Sequence, residues 1–162
     1  TLCDKFIKLH PVNQYVSYIY YLKAISLYQQ INDKYRDQST SHKAIKSLKE
    51  LIARFPNSEF EIDAGEKLLL LNNRIAASIN NIGKFYLFKE QYLPSMIYYL
   101  EVINKYPNSR HKAEALYRIS EAFAAIGITH QAQKYGNDLI KNHPQNIWTE
   151  RYSKLEEKFL KE

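Results

Sequence analysis

One eleven-residue phrase is written twice in this chain. "RFPNSEFEIDA", Arg54 to Ala64, returns fifty-one residues later as "KYPNSRHKAEA", Lys105 to Ala115. Internal repetition constrains a fold more than local propensity does, because each unit of a repeat array buries its apolar face only against its neighbours. What surrounds the repeat is helical in character. Leu, Ile, Lys, Ala, Glu and Gln fill long stretches, and only four glycines and five prolines are available for turns in 162 residues. Such a sequence favours helix over a many-turned β architecture, and almost no strand is expected.

The spacing between the repeats carries helix-pair grammar. Residues 76 to 107 place Ile79, Ile82-Gly83, Tyr86, Ser95, Tyr99 and Pro107 at the intervals of a tetratricopeptide repeat. Residues 113 to 144 place Leu116, Ile119-Ser120, Phe123, Ala132, Gly136 and Pro144 in the same register, with Tyr135 beside the aromatic position. The small residues Gly83, Ser120 and Ala132 would let paired helices approach closely, and each proline would end a second helix. Each "PNS" is then expected to start the next helix, with Ser58 or Ser109 as N-cap. Ser58 and Glu61 have capping-box spacing, and Glu59, Glu61 and Asp63 suit the positive end of a helix dipole.

Pro107 and Pro144 are 37 residues apart, whereas Pro56 and Pro107 are 51 apart, fourteen more. Fourteen residues are about four helical turns, so added helix returns nearly to the same face. Ala64, Leu68, Leu71, Ile75, Ile79, Ile82 and Tyr86 form one unbroken stripe across the insertion, which predicts a single long helix over 58 to about 89. Earlier, helices are expected over about 13–30 and 41–54, with a polar break "NDKYRDQSTS" between them. Trp148, Tyr152, Leu155 and Phe159 mark a terminal capping helix. The expected fold is all-α, a right-handed solenoid of tetratricopeptide helix pairs forming a single array over 1–162. Its repeats fall roughly at 1–11 (second half only), 12–56, 57–107 and 108–144, before the cap at 146–162. Leu2, Phe6, Ile7 and Leu9 read as a helix ending at Pro11, so residue 1 is expected to lie inside an element of a longer protein.

Several function classes have no support in the sequence. The formal charge is +6, but no run of five Lys or Arg occurs and acids are interleaved throughout, which reads as a solvated surface and not as a nucleic-acid patch. Cys3 stands alone, so no internal disulfide is possible. His10 and His143 precede prolines, and His42, His111 and His130 show no ligand spacing, so no metal is expected. There is no phosphate loop and no G-x-S-x-G elbow. Glu59, Glu61 and Asp63 are read as dipole partners, not acid–base catalysts. No enzyme activity and no cofactor are expected.

The helix "NQYVSYIYYLKAISLYQQ" is apolar nearly all round. Tyr15, Tyr18, Leu22 and Ile25 predict its core stripe, while Tyr20, Tyr21, Ala24, Leu27 and Tyr28 cover most of the rest, leaving a polar sector near Lys23 and Gln30. Such a helix is packed on both sides, or it offers tyrosines from a concave face to an extended peptide.

"FIKLHP…YVSYIYYLKA", the "LxxLxNRxA" stretch (Leu68, Leu71, Asn73, Arg74, Ala76) on a lengthened helix, the Pro-Asn-Ser junctions, and "FY" followed by a short turn and a new helix together resemble the BamD family, the lipoproteins of the outer-membrane β-barrel assembly (BAM) machine. The likeness covers nearly the whole chain. It implies a non-catalytic scaffold on the periplasmic face of the outer membrane, held by a lipid on an N-terminal Cys upstream of this chain. It also implies partners: the last POTRA domain of BamA at the C-terminal repeats, other BAM lipoproteins, and unfolded outer-membrane barrel proteins at the N-terminal repeats. For the substrate peptide, Tyr18, Tyr20, Tyr21 and Lys23 are the candidates. For BamA they are Tyr98, Tyr99, Arg118 and Glu121, the last two lying off the stripe Ala115, Leu116, Ile119 and Phe123 of an expected helix Ser109 to Ile126. Two features depart from the family: Leu2 precedes Cys3 where a lipid-acceptor motif has a small residue, and Tyr98 stands where an Arg is expected. Another periplasmic tetratricopeptide scaffold, such as a Tol-Pal coordinator, would have evenly spaced repeats. The helical part of a larger cell-wall enzyme would need a catalytic domain elsewhere.

Overall fold

The computed structural model of the chain describes residues 1–31 and 38–159. Among these, the regular elements are all helices: α1 (Leu2–Leu9), α2 (Val16–Gln29), α3 (Gln38–Arg54), α4 (Glu61–Phe88), α5 (Tyr92–Lys105), α6 (Lys112–Ala125), α7 (Thr129–Asn142) and α8 (Ile147–Phe159). The all-α expectation therefore holds, and α4 is the lengthened helix read from the 51-residue spacing. Tertiary contacts divide the chain into two compact units, Thr1–Leu71 and Asn72–Glu162, with the boundary inside α4.

In the first unit α1 packs on α2 and α2 on α3. The buried apolar residues are Val16, Tyr20 and Ala24 from α2, Ala44, Ile45, Leu48 and Leu51 from α3, and Ala64 and Leu71 from α4. This overturns the stripe expected for α2: Tyr15 and Tyr18 are 58% and 43% exposed, and the inward line runs Val16, Tyr20, Ala24. A helix apolar nearly all round has only a narrow polar sector, near Lys23 and Gln30, to fix its rotation. What fixes it is Ala24, fully buried, whose small side chain permits close approach. The expected polar break is also shorter, because Gln38–Ser41 already belong to α3; its residues 32–37 lie outside the described residues.

In the second unit α5 packs on α6, α6 on α7 and α8, and α7 on α8. One buried cluster joins Ala76, Ile79, Met96, Tyr99, Val102, Ala115, Ile119 and Ala122; a second joins Ala113, Leu116, Tyr117, Ala132, Leu139 and Tyr152. Small residues sit where the helices meet. A Cβ on Gly83 would stand 2.9 Å from Cε1 of Tyr99, and one on Gly136 would stand 1.8 Å from Cζ of Tyr152. Ser120 Oγ donates to the Ala132 carbonyl at 2.7 Å, so α6 and α7 touch at two of the predicted small positions. Ile82, assigned to the stripe of α4, is 38% exposed; Gly83 takes the inward position because the Tyr99 ring occupies the space. In α8, Tyr152 is buried and Leu155 packs beside it as expected, while the Phe159 side chain lies outside the described residues.

The Pro-Asn-Ser junctions differ from the reading of their serines as N-caps. Helix α4 begins at Glu61 and α6 at Lys112, each about one turn after its serine. Asn57 adopts the left-handed region at φ 64°, which Asn tolerates better than most residues. Ser58 N–H then donates to the Phe55 carbonyl at 3.2 Å, and Glu61 N–H to the Ser58 carbonyl at 3.0 Å. The Glu61 carboxylate accepts from the Asn57 N–H at 2.6 Å, so the reciprocal half of the box closes on Asn57. At the second junction Ser109 Oγ accepts from His111 N–H at 3.1 Å, within the turn itself. A complete turn precedes each helix, which moves the cap position downstream of the serine.

Candidate functional site

The first unit gathers the tyrosines of α2 against the junction between α3 and α4. Tyr20 is 5% exposed, its ring 5.3 Å from that of Phe55 with the Arg54 guanidinium 5.4 Å over it. It is a packing residue, and its expected place on an open peptide-binding face is corrected accordingly. Tyr21 stacks on Phe60 at 4.7 Å, and its hydroxyl donates to Asp63 Oδ2 at 2.8 Å. Lys67 also pairs with Asp63, so Lys67 first and Tyr21 second hold that carboxyl below the usual range. The same hydrogen bond to Asp63, then burial, pushes the Tyr21 phenol up. Lys23 is drawn to Asp4 at 2.7 Å, which raises its own pKa. Of the four candidates here, Tyr18 remains exposed, with its ring 5.7 Å from Phe60, and Tyr21 and Lys23 are half-buried.

The second unit brings Arg118 and Glu121 together. Arg118 Nη1 donates to Glu121 Oε2 at 2.8 Å, one turn along α6. The guanidinium lies 5.3 Å over the Tyr117 ring and 5.2 Å over Trp148, which α8 supplies; Arg151 covers the same indole at 4.6 Å. Arg118 is thus pre-oriented, and its side chain is 15% exposed. Both charges border a cleft of about 360 Å³ whose other walls include Leu87, Phe88, Tyr92 and Leu155.

The other two candidates for that surface divide. Tyr98 is half-buried and stacks parallel on Tyr86 at 5.5 Å. Tyr99 is fully buried against Gly83, so it contacts no partner, and this assignment is corrected. Its hydroxyl has no hydrogen-bond partner, and burial pushes the phenol far above its ordinary value. The α5 pattern explains the error: the inward line is Met96, Tyr99 and Val102, and the two adjacent tyrosines cannot share one face of a helix.

A buried polar group ties α4 to α6. Glu114, 7% exposed, receives Lys84 at 2.6 Å, and Asn80 Nδ2 donates to the His111 carbonyl at 3.2 Å. Burial, with Arg110 nearby, lowers the pKa of His111.

Several exposed apolar side chains escaped the sequence reading. Phe85, Phe88, Leu93 and Ile97 are 53%, 78%, 68% and 66% exposed, and they lie near the turn between α4 and α5. Their signal was present as large apolar residues left over once the buried stripes were assigned. Of the four, Phe88 lines the cleft beside Arg118 and Glu121, and an exposed apolar side chain at a cleft suits an interaction site.

Antiparallel helix pairs joined at repeated turns, with aromatic and charged side chains lining their clefts, define a helical-repeat protein of the tetratricopeptide type. Among the described residues no three His, Cys, Asp or Glu side chains converge as a metal site, and no helix is long and apolar enough to cross a membrane. Comparison with known sequences narrows the class. The family model for YfiO, described as an outer membrane lipoprotein, matches residues 1–139, and the chain belongs to this YfiO/BamD family. It is 37% identical over 147 residues to the outer membrane protein assembly factor BamD of Rickettsia prowazekii, covering 91% of this chain and 59% of that protein. The protein of that name from Caulobacter vibrioides is 36% identical over 145 residues, covering 90% and 48%. That from Neisseria meningitidis serogroup A is 24% identical over 153 residues, covering 88% and 57%. The chain thus spans about half to three-fifths of the length of these relatives.

Proposed function

We propose that this chain is the tetratricopeptide scaffold of an outer-membrane β-barrel assembly complex, acting at the periplasmic face of the outer membrane without catalysis of its own. The relatives named as outer membrane protein assembly factors, matched over nine-tenths of the chain, carry this reading. In it, residues 12–56, 57–107 and 108–144 act as successive repeats, and a lipid outside this chain supplies the anchor. The second unit docks the POTRA domain of a BamA partner through the Arg118–Glu121 cleft, with Tyr98 and the exposed Phe88 beside it. The first unit receives unfolded barrel segments along Tyr18, Tyr21 and Lys23, and other lipoproteins of the complex complete the assembly.

What supports the Arg118 surface is its chemistry: a guanidinium held by two aromatic rings, a paired carboxylate and a protruding phenylalanine suit a polar interface with aromatic anchors. Titration of this chain with the isolated POTRA domain tests it. Arg118→Glu is expected to weaken binding by roughly 1–3 kcal/mol, and Phe88→Ala to weaken it with no loss of helical signal. Unchanged affinity in both would remove this surface. No binding by the unaltered chain would count against the scaffold reading itself.

A further inference from the structure

Two histidines bracket the helix pair α6–α7. Ser120 meets Ala132 and Phe123 stacks on Tyr135, so the two helices run antiparallel, and His111, the N-cap of α6, stands at the same end as His143, the C-cap of α7. Both are tied into the junctions there. The His111 N–H donates to Ser109 Oγ at 3.1 Å and its carbonyl accepts from Asn80 Nδ2 of α4 at 3.2 Å, while the neighbouring Arg110 N–H donates to Asn73 Oδ1 at 2.9 Å. The His143 N–H donates to the Leu139 carbonyl at 2.8 Å, and its carbonyl accepts from Thr149 Oγ1 of α8 at 2.6 Å. Neither ring is placed to take a second proton. His111 Nε2 accepts from Arg110 Nε at 3.4 Å and sits at the positive end of α6. His143 Nε2 is shut off from solvent and has no hydrogen-bond partner, so a proton there would be a buried donor without an acceptor.

We propose that His111 and His143 form an acid-sensitive latch at this end of the α6–α7 pair: both imidazoles are neutral when the junctions are closed, and proton uptake loosens them. The charges around the rings favour the neutral forms. Arg110 in the junction, Lys84 of α4 and Glu114 of α6 act on His111; Lys112 of α6 and Asp138 of α7 act on His143, to which α8 adds the Thr149 hydroxyl. The carboxylate near each ring is already engaged, Glu114 by Lys84 at 2.6 Å and Asp138 by Asn142 Nδ2 at 2.6 Å. The carbonyl end of α7 favours a cation at His143; burial of the ring, with the Lys112 ammonium, outweighs it. Burial first, and these cations second, hold both histidines below the ordinary 6.5. The unfolded chain therefore takes up these protons at a higher pH than the folded one. The stability they secure is present in full above 6.5 and is lost as the pH falls towards the folded values. Helix α6 carries Arg118 and Glu121, so acid would loosen the footing of that surface too.

The experiment is imidazole nitrogen NMR of the isotope-labelled chain from pH 5 to 8, beside the same chain in urea, together with urea melts at pH 7.5 and 5.5, above the carboxylate range. His111 and His143, assigned through His111→Gln and His143→Gln, are expected to titrate below their values in urea. When neutral, each should carry its proton on Nδ1 with Nε2 bare. The folding constant should fall between the two pH values by up to about tenfold for each histidine, a ceiling set by one proton bound per ring in the unfolded chain. The double variant His111→Gln/His143→Gln should lose most of that fall. Either ring titrating at or above its unfolded value, or carrying its single proton on Nε2, would overturn the latch, and so would an equal fall in the double variant. Should the double variant not fold, the two titrations of the parent decide. Neither measurement involves a partner, so the latch and the scaffold reading fail separately.

Discussion

Gly136→Ala sets two forces of opposite sign against each other. In a helix interior, alanine is favoured over glycine by roughly 0.5–1 kcal/mol, so propensity alone predicts a more stable protein. The structure predicts the reverse. The new Cβ would fall 1.8 Å from Cζ, 2.0 Å from Cε2 and 2.3 Å from the hydroxyl oxygen of Tyr152, a ring with no exposed surface. Overpacking of a core costs about 1–3 kcal/mol when the neighbours adjust, and expelling the aromatic ring altogether costs about 3–5 kcal/mol. After the propensity gain, the net loss is about 0–2.5 kcal/mol where the neighbours adjust and about 2–4.5 kcal/mol where the ring is expelled. For a unit of this size, each kcal/mol lowers the midpoint by about 4–8 °C. Urea and thermal melts followed by circular dichroism will read the change, with Gly136→Ala/Tyr152→Leu as the partner variant that restores space. A single variant more stable than the parent would refute the claim that α7 and α8 meet through this glycine.

Three further outcomes follow from hydrogen bonds and charges. Tyr21→Phe should cost about 0.5–1.5 kcal/mol at neutral pH by removing the donor to Asp63; because the folded Asp63 carboxyl titrates below its ordinary 3.8, the difference should persist above pH 4 and shrink as acid protonates that group, which melts across pH 2–7 will show. Lys84→Met should destabilise the second unit by about 3–5 kcal/mol, since it leaves Glu114 buried without its cation, and a double change with Glu114→Gln should recover part of the loss. Tyr99→Phe should leave stability equal or raise it by about 1 kcal/mol, because the buried hydroxyl it removes has no partner; a large loss would mean that the oxygen is satisfied after all.

The elements the sequence made legible are those set by local chemistry. The stripe from Ala64 to Ile79 located α4, because an apolar line stepping by threes and fours has only one helical solution, and prolines bounded the pairs on either side. Gly83, Ser120 and Ala132 were readable as contact points because small side chains at fixed spacing allow close approach. The rotation of α2 was not readable: with apolar residues nearly all round, the packing of Ala24 and Tyr20 decided it. For the candidate surface the division is similar. Arg118 and Glu121 are three apart on one helix, so their pairing follows from spacing. The stacking of Arg118 on Trp148 does not, because the indole arrives from thirty positions later in the chain. Tyr98 and Tyr99 cannot share one surface, because adjacent helical residues point about 100° apart, and the structure puts one at the surface and one in the core.

Trp148 is the sole tryptophan of the chain, and the guanidinium groups of Arg118 and Arg151 lie 5.2 and 4.6 Å from its ring, with the Tyr117 ring 5.4 Å away. Its fluorescence therefore reports on one place. Two nearby cations act on the excited indole dipole, and Tyr117 is close enough to feed it excitation. Any molecule that draws Arg118 off the indole alters that local field, so the emission wavelength and lifetime should move on binding without a label of any kind. Arg118→Gln, titrated by the same optical readout, would calibrate how much of the signal that one cation supplies.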